Sequence, residues 1–423
     1  MVGSYHTICY TVLMGNFPKD FLWGAATASY QVEGGIEHCD WAQAARDGKV
    51  PACGRACDHY NRYEEDFDIA KELGHNAHRF SIEWARIEPE EGRFSEDAIE
   101  HYRGVLQALH ARGITPMVTL WHFTLPDWFV RSGGWMRKDA ADLFARYAEH
   151  VARSLGATVA HIDTMNEPIV FASNGWLRGT WPPFNSFFLV AQKSFTRQMY
   201  MNKGVRGSVR LTPFAYLNVR RQLVRAHNAA YKRIKGSAPA VSVGIVKNVI
   251  VFTAGRNPLH RLASWVMNEH WTHSFMRKVV HSCDSIGVNY YFYRKFGDTK
   301  EYTRSDLGWD MVPEKLGDAL LMLRRYNKPL YITEAGLADA EDKHRAWYIQ
   351  ESLKGVARAM QCGVNVKGFF YWSLLDNYEW ADGFDKRFGL VEINYETLER
   401  TIRPSAYHYR DLIQPHQTQT EGG

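Results

Sequence analysis

The feature that most constrains this chain is a rhythm of eight short runs with strand character, separated by longer stretches with helical periodicity. The runs occupy residues 21–29, 76–84, 115–123, 161–168, 241–249, 284–291, 329–336 and 366–376. One of the intervening stretches, SEDAIEHYRGVLQALHARG (95–113), shows the helical grammar. Ser95 can cap its start, Ala98, Tyr102, Val105, Leu106 and Leu109 fall on one face, and Gly113 closes its end. A second such stretch runs from Asp139 to Gly156. Strands joined by crossover helices pair in parallel, and eight such units close most economically as a single (β/α)8 TIM barrel, an α/β fold. An open, doubly wound sheet is the alternative. Against it, the first run leads into GAATASYQVEGG, whose glycine spacing is not that of a dinucleotide-binding turn. No Pro/Gly/Ser-rich linker interrupts the rhythm, so residues 17–413 read as one barrel, with an extension at 1–16 and a tail at 414–423.

In a barrel the C-terminal ends of the strands converge on one face, where active sites lie. Polar and aromatic residues gather at those ends: Gln31, His122, Asn166 with Glu167, Asn289 with Tyr291, Glu334, and Trp372. Two of the runs share a plan. HIDTMNEP ends in Glu167 and Pro168; PLYITEAG ends in Glu334, Ala335 and Gly336. Pro168 disfavours helix for the residue before it, which predicts an extended Glu167 facing the cleft, and Gly336 is expected to let the chain turn. Two strand-end glutamates suggest a carboxylate pair.

Composition narrows the class without deciding it. Apolar residues make up 45% of the chain, enough for a large core, and 14 tryptophans suit stacking on sugars or other flat ligands as well as packing. The six cysteines are scattered, and Cys53 and Cys57 lack the second cluster a zinc site would need, which points to a reduced, cytoplasmic protein. No run approaches the length of a membrane span. The charge distribution holds one anomaly: residues 168–268 contain no acid but 15 Lys and Arg, among them Arg220, Arg221, Arg225, Lys232, Arg233 and Lys235. That span reads either as a solvated basic face or as a flank that associates with an anionic surface.

The pieces FLWGAATASYQVEGG, NAHRFSIEWARIEP, TLWHFTLPDW, TMNEP, GVNYY, YITEAG and YWSLLDNYEWADGFDKRFGLV together resemble glycoside hydrolase family 1, the β-glucosidase and β-galactosidase family, over residues 17–406. SIEW and the NGWLRGTWPP segment are similar to its archaeal β-glycosidase branch. The resemblance implies a retaining double displacement with Glu167 as general acid/base and Glu334 as nucleophile. It also implies that Arg79 and Tyr291 keep Glu334 ionised, that Gln31, His122, Asn166, Asn289, Glu379 and Trp380 hold the sugar, and that Trp372 is the stacking floor, joined to Ser373 by a cis peptide. Arg79 could instead form a structural ion pair, and Trp372 could be simple core. The reading calls for no cofactor, metal or nucleic acid; small β-glycosides or oligosaccharides are the expected partners.

Departures from the family pattern carry their own expectations. Ala335 stands where an Asn is usual, and Glu83 where a Ser is common, which adds a charge expected to compete with Glu334 for Arg79. The region from Phe184 to Arg210 matches poorly. A 6-phospho-β-glycosidase would read phosphate through Ser, Lys and Tyr; here Lys386 supplies the Lys, but Glu379 and Phe388 replace the others, and a carboxylate repels phosphate. A silent sugar-binding protein would have lost one of the two glutamates. Both are present.

Overall fold

The computed structural model of the chain describes residues 17–185 and 212–417. All eight expected runs form strands: β1 (Leu22–Ala26), β2 (Ala77–Ser81), β3 (Thr115–Thr119), β4 (His161–Asn166), β5 (Ser242–Ala254), β6 (Ser285–Phe296), β7 (Leu330–Ala335) and β8 (Val366–Trp372). Each pairs in parallel with the next, and β8 returns to β1, so the sheet closes as a barrel rather than an open doubly wound sheet. The longer helices are α1 (His59–Glu72), α2 (Glu96–Ala111), α3 (Ala140–Leu155), α4 (Pro168–Trp176), α5 (Thr212–Ser237), α6 (Pro258–Asn268), α7 (Leu316–Leu323), α8 (Arg345–Gln361) and α9 (Pro404–Gln417). Helix α9 runs four residues into the expected tail; the extension 1–16 and residues 418–423 lie outside the described residues, as does most of 184–210.

Helix α2 forms as its sequence dictates. The Ser95 hydroxyl accepts from the Ala98 amide at 3.2 Å, Gly113 takes a φ of +69° just past the end, and Ala98, Tyr102, Val105, Leu106 and Leu109 are all buried. Replacing Leu106 or Leu109 with Ala would cost roughly 2–5 kcal/mol, the loss of a buried aliphatic side chain plus its cavity. Inside the barrel a second, smaller cluster includes Ala77, Met117, Tyr331, Phe370 and Trp372. Ala77 lies two residues before Arg79 on the same face of β2, so this cluster sits beneath the polar residues of the rim.

The ladders slip where the chemistry-bearing residues sit. Val288 pairs with Ile332, yet Asn289 pairs with Glu334, and the β4–β5 register shifts likewise between Asp163 and Asn166. Such bulges re-aim side chains at a barrel rim. Gly336 is needed for a different reason than expected: a Cβ there would lie 1.8 Å from the Trp372 carbonyl oxygen, so close strand approach, not a turn, excludes a side chain.

The acid-free span does not make one uniform basic flank. Lys247 is buried on β5, Arg220 is half-buried with its guanidinium on Ser274 at 2.8 Å, Arg233 meets Glu149 at 3.1 Å, and Lys235 meets Asp284 at 3.0 Å. Acids from outside the span thus neutralise part of it. Arg221, Arg225, Lys232, Arg256 and Arg261 remain exposed. Among the described residues no helix is long and apolar enough to cross a membrane.

Candidate active site

Arg79, fully buried on β2, ties together the ends of four strands. Its Nη1 donates to Glu334 Oε1 at 2.6 Å and to the Thr333 carbonyl at 3.3 Å, its Nη2 to Asn166 Oδ1 at 2.8 Å, and its Nε to Thr119 Oγ1 at 3.1 Å. A planar fork with five N–H donors spread over three nitrogens makes these four bonds to β3, β4 and β7 groups at once, one more than the three N–H of an ammonium allow. Its carboxylate partner is therefore across the barrel on β7. Glu83 does not compete for it. That carboxylate is buried and satisfied by the hydroxyls of Ser29 (3.0 Å) and Thr124 (2.9 and 3.0 Å) and by the Ala85 amide (3.2 Å), while burial pushes its acid up to about 7.

Glu334 sits at the end of β7 with both oxygens engaged. Arg79 takes Oε1, and the Tyr291 hydroxyl from β6 donates to Oε2 at 2.9 Å. Burial raises its acid above the ordinary range, while the Arg79 charge and the hydrogen bonds from Arg79, Tyr291 and Asn289 oppose the rise by stabilising the anion. The Tyr291 phenol keeps its proton as a donor, because burial and the facing Glu334 and Glu167 carboxylates hold it well above its usual range.

Glu167 stands in different surroundings. Its Oε1 accepts from Asn289 Nδ2 at 2.8 Å and Asn248 Nδ2 at 3.0 Å, two neutral amides. Burial first, and the Glu334 charge second, push its acid up to about 7, against the pull of the two amides and of Lys247. The backbone here corrects the sequence expectation: Glu167 is not extended but left-handed, with φ 43° and ψ 54°. Strand β4 ends at Asn166 and Pro168 is already the first residue of α4, so one residue must make the whole reversal, and Pro168 bars it from right-handed helix.

Around this pair the remaining expected residues converge. Asn166 Oδ1 accepts from Arg79 and from Asn289 Nδ2 at 3.1 Å, which assigns its NH2 to His122 Nε2 at 3.2 Å. The neutral His122, held so by burial and by Arg79, then carries its proton on Nδ1. His122 lies parallel to Trp372 and Trp380, with ring centroids 5.9 and 6.0 Å apart, and the Trp372–Ser373 bond is cis. Gln31 Nε2 donates to Asn377 Oδ1 at 3.0 Å and the Tyr378 carbonyl at 2.7 Å. Its Oε1, like His122 Nδ1, is buried without a hydrogen-bond partner among the described residues. One acceptor and one donor thus remain unspent beside the carboxylate pair. Glu379 is half-buried; loss of water around its carboxyl first, and the like charges of Asp382, Glu334 and Glu167 after it, hold its acid well above the usual range.

Sequence reasoning missed the β5 contribution. Asn248 supplies one of the two donors to Glu167 and is itself oriented by Trp271, whose Nε1 donates to the Asn248 carbonyl at 3.1 Å and to Oδ1 at 3.3 Å. Lys247, beside it, bonds the same carbonyl and lies 5.1 Å from the Trp271 ring centre. The signal was present: an Asn late in a strand-like run, at the end where the other strands carry their polar groups.

Comparison with known proteins accords with this geometry. The sequence profile described as "Glycosyl hydrolase family 1" matches residues 13–281 and 193–418. The chain is 33% identical to beta-glucosidase A of Acetivibrio thermocellus, over 94% of this chain and 98% of that protein. It is 28% identical to a beta-galactosidase of Pyrococcus woesei, over 94% and 97%. Among solved structures, a beta-glycosidase from Pyrococcus horikoshii matches with a TM-score of 0.82 at 35% identity, covering 95% of this chain and 98% of that one. The beta-glucosidase from Thermotoga maritima in complex with glucoimidazole matches with a TM-score of 0.84 at 30% identity, covering 95% and 99%. With a matching family profile along nearly its whole length and relatives above 30% identity, this chain belongs to glycosyl hydrolase family 1.

Proposed function

We propose that the chain is a retaining exo-β-glycosidase that hydrolyses terminal non-reducing β-D-glucosides, with β-galactoside and β-fucoside activity, using Glu334 as nucleophile and Glu167 as general acid/base. The observation that carries this reading is the asymmetry of the pair: Glu334 against a guanidinium and a phenol, Glu167 among neutral amides with its acid near 7. In the first step a Glu334 oxygen attacks the anomeric carbon as Glu167 gives its proton to the leaving oxygen, so the glycosidic bond breaks and a glycosyl ester forms. In the second, Glu167 takes a proton from water, the water oxygen attacks the same carbon, and Glu334 departs as carboxylate. Gln31 Oε1 and His122 Nδ1 serve the sugar hydroxyls, with Trp372 beneath the ring. The breadth of substrate is supported by relatives named as beta-glucosidase, beta-galactosidase and bifunctional beta-D-glucosidase/beta-D-fucosidase. Against a 6-phosphoglycosidase reading stand Glu379 and Phe388, which replace the Ser and Tyr that would join Lys386 on a phosphate.

The test joins a substrate panel to one variant. Nitrophenyl β-glucoside, β-galactoside and β-fucoside should be cleaved with β-retention, cellobiose more slowly, and a 6-phosphoglucoside not at all. Glu334→Ala should lose more than about 10⁴-fold in kcat, and azide should restore turnover with an inverted α-glycosyl azide. Near-wild-type hydrolysis by the variant, or rescue without inversion, overturns the assignment.

A further inference from the structure

Helix α6 presents an apolar face to solvent. Its inward side is fixed to the end of β5: Ser264 Oγ and Asn268 Nδ2 both donate to the Phe252 carbonyl at 2.8 Å. The opposite side carries Leu259, Leu262, Trp265 and Val266, exposed by 73%, 57%, 61% and 45%. These positions fall within a single sector of a helical wheel centred on Leu262. Tyr216 lies against His270, ring centroids 6.4 Å apart, which brings the first turn of α5, with exposed Phe214 and Leu217, to the C-terminal end of α6. Six large apolar side chains exposed on two neighbouring helix segments are more than scattered surface residues, and such a patch marks a docking surface.

The charge around the patch identifies what it docks on. Arg256 and Arg261 flank the α6 face, and Arg221 and Arg225 continue the exposed α5 face beyond Leu217 at helical spacing. All belong to the span that holds no acid. A second copy of this chain meeting the face about a two-fold axis would set these arginines against themselves. Residues 186–211 add five further cations and no acid, so they bring no complementary charge either. A surface that is apolar within and anionic at its boundary matches both features at once. Leu, Trp and Val can enter the acyl boundary while arginines at the margin meet phosphate.

We infer that this protein docks reversibly on an anionic phospholipid bilayer through the exposed face of α6 and the first turns of α5. Strands β5 and β6 lengthen past the barrel rim, pairing as far as Ala254 with Phe296, and α6 follows directly. The docking face therefore lies on the side of the barrel where the strand ends carry the site, and docking brings the cleft close to the lipid surface.

Co-sedimentation of the full chain with vesicles tests the inference, using phosphatidylcholine alone and phosphatidylcholine mixed with phosphatidylglycerol, each at low and physiological salt. Wild type should sediment with the mixed vesicles, less at higher salt, and stay in solution with phosphatidylcholine alone. Leu262→Ser with Trp265→Ser should weaken binding at least tenfold while hydrolysis of a soluble nitrophenyl glucoside and the circular dichroism spectrum stay unchanged. Arg256→Gln and Arg261→Gln should each weaken it on the order of fivefold and flatten the salt dependence. Wild type left in solution with mixed vesicles at low salt, equal binding to both vesicle types, or undiminished binding by the double Ser variant would each overturn it. So would a concentration-dependent dimer that the double Ser variant converts to monomer, since the face would then belong to a second copy.

Discussion

Glu334 and Glu167 are the same side chain in the same cleft, yet the flanks that hold them differ in kind. The β2–β6–β7 flank meets Glu334 with a guanidinium and with a phenol that keeps its proton, and both favour a carboxylate facing them. The β4–β5 flank meets Glu167 with two neutral amides, which satisfy an oxygen without matching a full charge, and leaves burial to push its acid up to about 7. Asn289 touches the Glu167 side directly and sits level with Glu334 in the ladder, so one amide serves both flanks. The difference teaches that unequal holds on a proton need no different acids. They need one flank with a charge to spend and one without.

Among changes that leave the Glu334 nucleophile in place, removing the acid flank's proton should have the largest effect. Glu167→Gln should slow cellobiose by roughly 10²–10⁴-fold, spare the first step on activated nitrophenyl glycosides, and erase the alkaline limb of kcat/KM on cellobiose. The same variant has a stability signature of definite sign. An acid raised in the folded state binds its proton more tightly there than in the unfolded chain, so Glu167 costs stability increasingly as pH climbs from the ordinary carboxylate range to about 7. Glu167→Gln should therefore raise stability above that pH by about 3 kcal/mol and leave it unchanged below pH 4. A Tm difference that is flat from acid to alkaline pH would contradict the raised acid.

The flanks should then answer smaller changes on opposite limbs. Tyr291→Phe removes a donor to the Glu334 anion, worth on the order of 1.5–3 kcal/mol for a hydrogen bond to a charge. The acid limb of kcat/KM should move to higher pH, and kcat/KM should fall roughly ten- to a hundredfold. Asn248→Ala removes a donor to Glu167 and should move only the alkaline limb, also to higher pH, with a smaller loss. Titrating kcat/KM for both variants on one substrate checks the comparison: if each moved the same limb, the two flanks would not be separate.

Much of this was legible in the sequence, for reasons that name themselves. The eight strands were visible because β-branched and aromatic runs alternate with 3.6-residue stripes such as that of α2, and a closed parallel barrel follows from that order. His122, Asn166, Asn289, Tyr291 and Trp372 stand out because they lie at the ends of those runs, whereas Arg79, in the middle of its run, is named only by the family resemblance. What stayed hidden was set by packing across strands. The left-handed Glu167 follows from having a strand end and a helix start with one residue between them, and Pro168 alone suggested the wrong backbone. Glu83 reads in the sequence as a rival for Arg79 because a separation of four positions along the chain has to stand in for distance, whereas its carboxylate is satisfied by Ser29, Thr124 and Ala85. The basic span read as one flank because the sequence does not show Glu149 and Asp284 folding back on Arg233 and Lys235.

Lys247 offers the finest adjustment of the comparison. It is a cation that acts on Glu167, yet it is no rival to Arg79: its ammonium bonds the Asn248 carbonyl and lies over Trp271. Burial lowers it to about 7, with Arg220 pushing the same way and Glu167 opposing, so it loses its proton in the range where Glu167 does. Each charge favours the other, and the alkaline limb therefore belongs to the pair. Lys247→Met removes the cation that helps Glu167 ionise, so the limb should move to higher pH, and it should also sharpen to a single step. The displacement should be smaller than that of Asn248→Ala, because a screened charge replaces a direct hydrogen bond, and the rate below the limb should hold. A kcat/KM profile on cellobiose, measured beside Lys247→Arg, checks this. The Arg variant keeps a charge that does not titrate, so its limb should be a single step below that of the Met variant. A Met variant whose limb falls to lower pH would show that Lys247 acts on Glu167 through packing and not through its charge.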